Sequence, residues 1–275
     1  MDIGVSTACL YPLETEKALY ELAELAGVLG QLIGADGVKN VEIFVNSIDE
    51  LEGQVLVELR RIIGEYGMNV LSMHPFSSPM ETLFLFGDYP RRTEYLIDIY
   101  KRYFEVMAEI GAGVFVLHGA ILSSKVPDER YMERYLRLFR LAKEFGVTVA
   151  QENICYCKSS SIRFIEDMIG QLGDEVRFVV DLKQARRSNV DPFRLLDIIG
   201  DKVVHLHVSD GDGRSECHEL PGQGRGDNDW TAILKALYED AHYRGVFMYE
   251  VKKAEFPQLK ACYDRLYEQY VQSKQ

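Results

Sequence analysis

The sequence predicts an α/β protein, a single (β/α)8 TIM barrel, on three observations. Short apolar runs alternate along the chain with longer amphipathic segments, and there are eight of each. No linker rich in Pro, Gly or Ser divides the 275 residues, so eight strand–helix units account for one domain over 1–275. The turn after the first run, Val5–Cys9, contains no glycine, which disfavours the glycine-rich first turn of a doubly wound open sheet.

The apolar runs are the predicted strands. They are rich in Val, Ile and Phe, as strands buried on both faces of a barrel should be. In chain order they are Ile3–Ser6, Val41–Val45, Val70–Met73, Val114–Leu117, Val147–Ala150, Phe178–Val180, Val203–Val208 and Val246–Tyr249.

The amphipathic segments are the predicted helices, because their apolar residues recur three and four positions apart. Glycines placed before the next strand predict left-handed helix ends at Gly67, Gly113, Gly146 and Gly245. The predicted helices are Glu14–Leu32, Ile48–Tyr66, Arg91–Ile110, Glu129–Phe145, Ser161–Leu172, Asp191–Ile199, Asp229–Glu239 and Pro257–Gln272.

The amino-acid composition disfavours some classes of binding partner. With 31 Lys and Arg against 43 Asp and Glu, the formal net charge is −12, which disfavours a protein that grips nucleic acid over a broad face. No apolar run approaches the roughly 18 residues of a membrane span. The N-terminus, with Asp2, lacks the basic and apolar regions of a secretory signal, and the five cysteines are odd in number. We therefore expect reduced thiols, a cytoplasmic protein and neither membrane nor nucleic-acid partners.

Polar residues gather where the predicted strands end. Glu152, Asp181 and Glu250 close the fifth, sixth and eighth strands. In a barrel, catalytic residues come from the carboxyl ends of several strands. Five of the six histidines stand at or just beyond such ends, at His74, His118, His205, His207 and His218.

Four adjacent strands end in Glu152, Asp181, His207 and Glu250. Neighbouring strands lie about 5 Å apart, so these side chains are expected to converge on one small volume. Three carboxylates beside one imidazole repel one another unless they are paired, and a divalent cation would remove that repulsion. Taken singly, each residue also has a structural interpretation, such as a helix cap for Asp181 or an ion pair with a lysine for the glutamates.

Two further polar residues fall inside the strands. His205 lies two positions before His207, on the same face and about 7 Å deeper, where we expect a buried, hydrogen-bonded histidine. Glu42 lies within the second strand, where a charge must be paired or functional. Support of the site and contact with substrate both remain open for Glu42.

At this point the sequence resembles the xylose isomerase-like TIM barrels. These include sugar-phosphate isomerases and epimerases, ketose 3-epimerases, inosose dehydratases and the endonuclease IV class of AP endonucleases. The resemblance spans nearly the whole chain, from Ile3 to Glu250. Its motifs are Val41-Glu42-Ile43, Gln151-Glu152-Asn153, Val180-Asp181, His205-Leu206-His207 with Asp210, and His218 followed by Pro221-Gly222-Gln223-Gly224.

The resemblance implies an isomerase or epimerase in carbohydrate metabolism, acting on a sugar, a sugar phosphate or a related keto-polyol. It implies one divalent metal ion bound by Glu152, Asp181, His207 and Glu250, with Mn²⁺ as the first candidate and Mg²⁺, Co²⁺ or Zn²⁺ as alternatives. The metal would stabilise an enediolate while Glu152 and Glu250 take and return a proton. The expected partner is a small carbohydrate, and homo-oligomers are common in the family.

The resemblance also implies substrate contacts. The family usually has a histidine three residues after the strand-six aspartate, where this chain has Gln184, and an arginine after strand seven, where Arg214 stands. The residues expected to bind substrate are His74, His118, Gln184, Arg214 and His218.

Other functions stay open. An inosose-type dehydratase would use the same metal and bases, with an acid such as His218 or Lys183 near the leaving hydroxyl. An endonuclease IV-like AP endonuclease would bind three zinc ions, for which Gln184 and Glu216 depart from the usual ligands. A non-catalytic sugar-binding barrel would have no need of two glutamates as bases.

Overall fold

The computed structural model describes residues 2–10, 38–214, 218–223 and 228–274. The predicted helix Glu14–Leu32 lies outside these residues. Within them, eight parallel strands pair in chain order, and the first also pairs with the last, which closes the barrel. The predicted (β/α)8 fold is therefore confirmed. The strands are β1 (Ile3–Ser6), β2 (Asn40–Val45), β3 (Asn69–Pro75), β4 (Val114–Leu117), β5 (Thr148–Glu152), β6 (Phe178–Asp181), β7 (Val203–Val208) and β8 (Phe247–Tyr249).

Helices lie between the strands in the described chain. A 3₁₀ turn at Ile48–Leu51 precedes the helix that follows β2, and a π-helical turn at Ala236–Asp240 ends the helix that follows β7. The α-helices are α1 (Gly53–Tyr66), α2 (Pro90–Ile110), α3 (Asp128–Lys143), α4 (Ile162–Leu172), α5 (Leu182–Arg187), α6 (Pro192–Ile199), α7 (Trp230–Lys235) and α8 (Leu259–Gln272).

The short helix α5 was not predicted from sequence. Its six residues are too few to show an apolar face, and its start depends on a side chain. Asp181, the last residue of β6, accepts a hydrogen bond from the backbone N–H of Gln184 at 2.8 Å. This N-cap satisfies one of the donors that a helix start leaves open.

Two of the four glycines predicted to have a left-handed conformation do have it. Gly67 and Gly146 have φ of 59° and 73°, the left-handed conformation predicted for them. The prediction was wrong for Gly113 and Gly245, neither of which has a positive φ. Helix α2 ends instead at Gly111, with φ of 81°, because the left-handed residue must directly follow the last helical turn.

The barrel interior is layered. Val116, Ala150 and Val179 pack together as a small apolar cluster, separate from the large core between strands and helices. Because side chains alternate along a strand, the next inward residue of β5 is Glu152 and of β6 is Asp181. An apolar layer therefore fills the barrel beneath a polar layer at the carboxyl ends of the strands.

No helix in the described ranges is long and apolar enough to cross a membrane. In the described part of the chain, Cys157 and Cys262 are free thiols. The cytoplasmic address stays a prediction, and so does the assignment of all 275 residues to one domain.

The loop after β3 is fastened to the end of β4 by Glu81. This buried carboxylate accepts hydrogen bonds from the backbone N–H of Gly119 and from the Tyr100 hydroxyl, the latter at 2.7 Å. The Thr82 hydroxyl accepts a further bond from the backbone N–H of Ile121 at 3.0 Å. Burial raises the pKa of Glu81 to about 7, although Tyr100, Gly119 and His118 act in the opposite direction.

Glu81 should make the stability of the protein depend on pH. Its folded-state pKa of about 7 exceeds the unfolded value of 4.5, so its stabilising contribution is complete below pH 4.5 and is lost as the pH rises through 7. Relative to the Glu81→Gln variant, the wild type should lose about 3 kcal/mol of unfolding free energy between pH 4.5 and 8. Denaturant unfolding of both proteins across this range measures the difference.

Glu175→Gln is the control, because Arg140 holds the pKa of Glu175 below its usual value. The unfolding free energy of the wild type relative to Glu175→Gln should rise with pH, because a carboxyl group with a lowered folded-state pKa stabilises the protein when it is ionised. If the unfolding free energies of wild type and Glu81→Gln changed with pH in parallel, the raised pKa of Glu81 would be wrong.

Candidate active site

The four predicted metal ligands meet at the carboxyl ends of the strands. Asp181 and His207 are register partners on β6 and β7. Glu152, Asp181 and His207 each offer a ligand atom within 4.8 Å of the others, and all three are buried. Nδ1 of His207 lies 2.9 Å from Oε1 of Glu152 and 3.5 Å from Oε1 of Glu250. The structure therefore brings together the residues that the sequence singled out.

Asp181 is held by its neighbour strand as well as by helix α5. Asn153, directly after β5, donates from Nδ2 to the carbonyl of Asp181 at 2.9 Å and accepts from its N–H at 2.7 Å. With Oδ1 of Asp181 engaged at the start of α5, this clamp fixes the direction of the carboxylate. Asn153 belongs to the motif Gln151-Glu152-Asn153, but no role was predicted for it from sequence.

Beneath His207 lies a network of buried side chains centred on Glu42. Register pairs Ser6 with Glu42 and Glu42 with Ser72, so the three stand at one level of the barrel. Oε1 of Glu42 accepts from the Ser6 hydroxyl at 2.9 Å, and Oε2 accepts from the Ser72 hydroxyl at 2.8 Å. Nε2 of both His205 and His207 lies 3.0 Å from the same Oε2. This use of both carboxylate oxygens favours the supporting role for Glu42, and His205 is buried and hydrogen-bonded as expected.

The contact with Glu42 decides which nitrogen of His207 faces the site. A carboxylate only accepts, so Nε2 of His207 carries a hydrogen and donates to Glu42. Nδ1 then points to Glu152 and Glu250, where its lone pair could ligate a cation. This is the arrangement of carboxylate, histidine and metal that recurs in metalloproteins.

Burial and neighbouring charges shift the pKa values of the titratable groups in this cluster. Burial opposes ionisation of Glu152, but His207 and His118 hold its pKa well below the usual value. Burial likewise opposes protonation of His207, yet Glu42, Glu250 and Glu152 raise its pKa well above the usual value. Burial raises the pKa of Asp181 to about 7 against the attraction of Lys183, and Glu250 and Glu152 add to the rise. A bound cation would relieve this repulsion.

The donor set fits a divalent metal. Oε2 of Glu152 is buried, and among the described residues no donor reaches it with hydrogen-bond geometry. Three carboxylates with one imidazole suit Mn²⁺, Mg²⁺ or Co²⁺, and they also accommodate Zn²⁺. Glu152, Asp181, His207 and Glu250 are the residues that would bind it.

A second cluster adjoins the first and shares Glu152. Nε2 of His74 and Nε2 of His118 are 2.7 Å apart, and the latter lies 3.0 Å from Oε2 of Glu152. Burial, together with the neighbouring His118, lowers the pKa of His74 to about 4. For His118 burial is outweighed by Glu152, which raises the pKa. The three residues form a second group that could hold a metal ion or a substrate oxygen.

The other predicted substrate contacts differ in their surroundings. Gln184 is buried, and its side-chain oxygen accepts from the backbone N–H of Cys155 and from Arg187, both at 3.3 Å. Arg214 is exposed, and its backbone N–H donates to Oδ1 of Asp212 at 2.9 Å. Nδ1 of His218 lies 2.8 Å from the carbonyl of Glu250, and Nε2 lies 3.1 Å from Nζ of Lys183. Substrate binding by these residues stays a prediction.

Lys183 is the site residue that sequence reasoning undervalued. Its ammonium is buried, 4.0 Å from Oδ2 of Asp181 and 4.0 Å from Oε2 of Glu250. Only the dehydratase alternative predicted a role for Lys183. Its position two residues after a strand-ending aspartate is the signal that could have identified it.

Comparison with known proteins shows to which family this chain belongs. Residues 31–266 match the family described as Xylose isomerase-like TIM barrel. The chain belongs to this family. The resemblance inferred from the motifs is thus confirmed over most of the chain, and the match also spans the residues that the structure leaves undescribed between 31 and 37.

Individual relatives are distant. Fructoselysine 3-epimerase of Escherichia coli O157:H7 is 23% identical over 184 residues, which cover 64% of this chain and 66% of the relative, just under two thirds of its length. The structure of a D-tagatose 3-epimerase-like protein aligns with a TM-score of 0.79 at 16% identity over 100% of both chains. The IOLI protein with a bound zinc atom aligns with a TM-score of 0.75 at 18% identity, over 98% of this chain and 99% of that one.

Removing the charge of Glu42 should weaken metal binding without touching a ligand. The Glu42→Gln variant leaves His207 with a neutral partner, so its imidazole becomes a poorer and less well oriented ligand. We expect the affinity for Mn²⁺ to fall by about 10–100-fold, measured by isothermal titration calorimetry.

The matched control is Glu81→Gln, the same change at another buried glutamate that does not contact His207. Its Mn²⁺ affinity should equal that of the wild type. Equal affinity in Glu42→Gln would show that the network beneath His207 does not support the metal.

Proposed function

We propose that this chain is a divalent-metal-dependent isomerase or epimerase, acting on a sugar, a sugar phosphate or a related keto-polyol. The observation that carries the proposal is Nδ1 of His207, which faces Glu152 and Glu250 while Asp181 completes the group. In the proposal one ion, with Mn²⁺ first and Mg²⁺, Co²⁺ or Zn²⁺ as alternatives, binds these four residues. The expected location is the cytoplasm.

Similarity to known enzymes supports the reaction class. Two of the proteins to which this chain is similar are named as a fructoselysine 3-epimerase and a D-tagatose 3-epimerase-like protein. A third was solved with a bound zinc atom, which supports a metal in this barrel. The relatives therefore favour a ketose-like substrate and inversion at a carbon next to a carbonyl.

The reaction needs side chains that remove a proton from the substrate and return one to it. A divalent ion held by Glu152, Asp181, His207 and Glu250 would supply Lewis-acid polarisation of a carbonyl and a neighbouring hydroxyl, which would make the adjacent C–H bond acidic enough to ionise. Glu152 comes from β5 and Glu250 from the end of β8, so the two carboxylates approach from different sides of His207. One carboxylate removes the proton, and the other returns a proton to the opposite face in an epimerase or to the neighbouring carbon in an isomerase.

The remaining polar residues would orient the substrate. His74 and His118 stand next to Glu152, where neutral and charged imidazoles could hold hydroxyl groups. In this proposal Gln184, Arg214 and His218 contribute at the edge of the site. The dehydratase alternative uses the same metal and bases and is favoured by the position of Lys183 as a buried proton donor close to Asp181 and Glu250.

One observation favours a second candidate, a two-metal or endonuclease IV-like centre. His74, His118 and Glu152 form a second group of potential ligands. A third zinc site is disfavoured, because Gln184 replaces a ligand and both ring nitrogens of His218 already face Glu250 and Lys183. The net charge of −12 also disfavours a DNA substrate.

Proton exchange tests the proposal directly. The Mn²⁺-loaded protein is incubated in deuterium oxide with ketohexoses, pentuloses, their phosphates and inososes, and NMR reports deuterium at the carbon next to the carbonyl. We expect exchange with at least one substrate. Glu152→Gln should lower the rate by about 100-fold or more, since a positioned base contributes about 10²–10⁴-fold.

The control for that variant is Glu175→Gln, the same change at an exposed glutamate paired with Arg140. Thermal unfolding of both variants checks that the fold is intact. A fully active Glu152→Gln variant would refute the acid–base assignment.

Metal content separates the candidates. Purified protein loaded at neutral pH and analysed by mass spectrometry for metals should contain one divalent ion per chain. Two ions would assign the second to His74, His118 and Glu152, and three zinc ions would favour the nuclease. Absence of any divalent ion at every loading would overturn the proposed function.

A further inference from the structure

Lys183 lies beside the predicted metal cage, the group formed by Glu152, Asp181, His207 and Glu250. Its backbone lies in the first turn of α5, which Asp181 caps, so the base of the side chain is held rigidly against β6. Its ammonium lies 4.0 Å from one oxygen of Asp181 and one oxygen of Glu250, and the side chain is 3% exposed. A buried cation at this distance from two ligands lies within reach of any substrate oxygen bound between them.

His218 fixes the direction of that ammonium. The carbonyl of Glu250 can only accept a hydrogen bond, so Nδ1 of His218, 2.8 Å away, carries the hydrogen. Nε2 of this neutral tautomer then has a lone pair, which accepts from Nζ of Lys183 at 3.1 Å. The backbone of His218 is itself held, because its carbonyl accepts from the N–H of Lys252 at 3.2 Å. The imidazole thus connects Lys183 to the segment that carries Glu250.

The net charge of the metal cage indicates what the ammonium of Lys183 contributes. Three carboxylates with one divalent ion leave the cage with one negative charge, which would oppose a substrate that becomes anionic during the reaction. The ammonium of Lys183 offsets this charge. A fixed cation aimed at the position where negative charge develops stabilises the transition state more than the ground state.

We propose that Lys183 contacts the substrate oxygen that becomes anionic when the C–H bond breaks, and that His218 is the residue that positions it. The inference rests on the proposed function. The carboxylate base takes the proton, the C–H electron pair forms the carbon–carbon double bond of the enediolate, and the carbonyl oxygen receives the negative charge. Return of a proton to carbon reverses these changes, and Lys183 keeps its own proton throughout.

The proposal predicts two effects of opposite sign in the Lys183→Met variant. The ammonium repels a metal ion bound by Asp181 and Glu250, so its removal should tighten Mn²⁺ binding, by about threefold or more. It attracts an anionic substrate, so its removal should weaken binding of glycolohydroxamate, an anion with two adjacent oxygens like an enediolate, by about tenfold. Isothermal titration calorimetry measures both, first with Mn²⁺ alone and then with the hydroxamate on Mn²⁺-loaded protein.

The matched control is Lys202→Met. Lys202 is a half-buried lysine in an ion pair with Asp174, and it precedes β7 at the opposite end of the barrel. Both affinities should be unchanged in this control. Lys183→Arg keeps the charge and should retain most of the hydroxamate affinity, and this second variant serves if Lys183→Met does not fold.

His218 is tested by rescue. His218→Leu removes the acceptor for Lys183 and should weaken hydroxamate binding, whereas His218→Gln restores an acceptor and should recover most of it. A purely structural role for His218 would not distinguish the two variants by hydroxamate affinity at equal thermal stability.

The outcomes separate the inference from the function on which it rests. If the unchanged protein binds none of Mn²⁺, Mg²⁺, Co²⁺ and Zn²⁺, the proposed function fails and this inference fails with it; if it binds one of the others in place of Mn²⁺, the same titrations use that ion. If Mn²⁺-loaded Lys183→Met binds the hydroxamate as tightly as wild type, only the inference is overturned. Tighter Mn²⁺ binding together with weaker hydroxamate binding supports it.

Discussion

The contact between Glu42 and His207 is the constraint on which the rest of the site depends. It determines that Nδ1, and not Nε2, of His207 faces Glu152 and Glu250. Without it, the imidazole could rotate or change tautomer, and the cage would lose its only nitrogen donor. The contact is costly to break, because it is buried and because Glu42 also receives hydrogen bonds from Ser6, Ser72 and His205.

This network is possible because the barrel is layered. Val116, Ala150 and Val179 fill the interior, and the polar side chains stand one inward position nearer the carboxyl ends. The apolar layer keeps water away from the amino-terminal side of the polar layer, so the charges there interact in a medium of low dielectric constant. In this setting burial opposes the ionisation of both carboxylates: His207 and His118 overcome it at Glu152 and lower the pKa, whereas burial prevails at Asp181 and raises the pKa.

Much of the site could be predicted from sequence. The positions of Glu152, Asp181, His207 and Glu250 relative to their strands follow from the alternation of side chains and from the rule that active sites lie at the carboxyl ends of barrel strands. The depth of His205 followed from the same alternation. Lys183 could not be placed in this way, because it lies in α5, a helix of six residues without a visible apolar face. Its direction depends on His218, which is 35 residues away in sequence.

The sequence by itself determined the fold, the order of the strands and which polar residues end them, because these depend on local periodicity and on chain connectivity. Only the tertiary structure decided how those residues are partnered. Glu42 meets His205 and His207 across a separation of more than 160 residues, a contact that exists because the barrel closes. Closure fixes the distances between side chains on strands that are not neighbours, and no pattern along the chain encodes those distances.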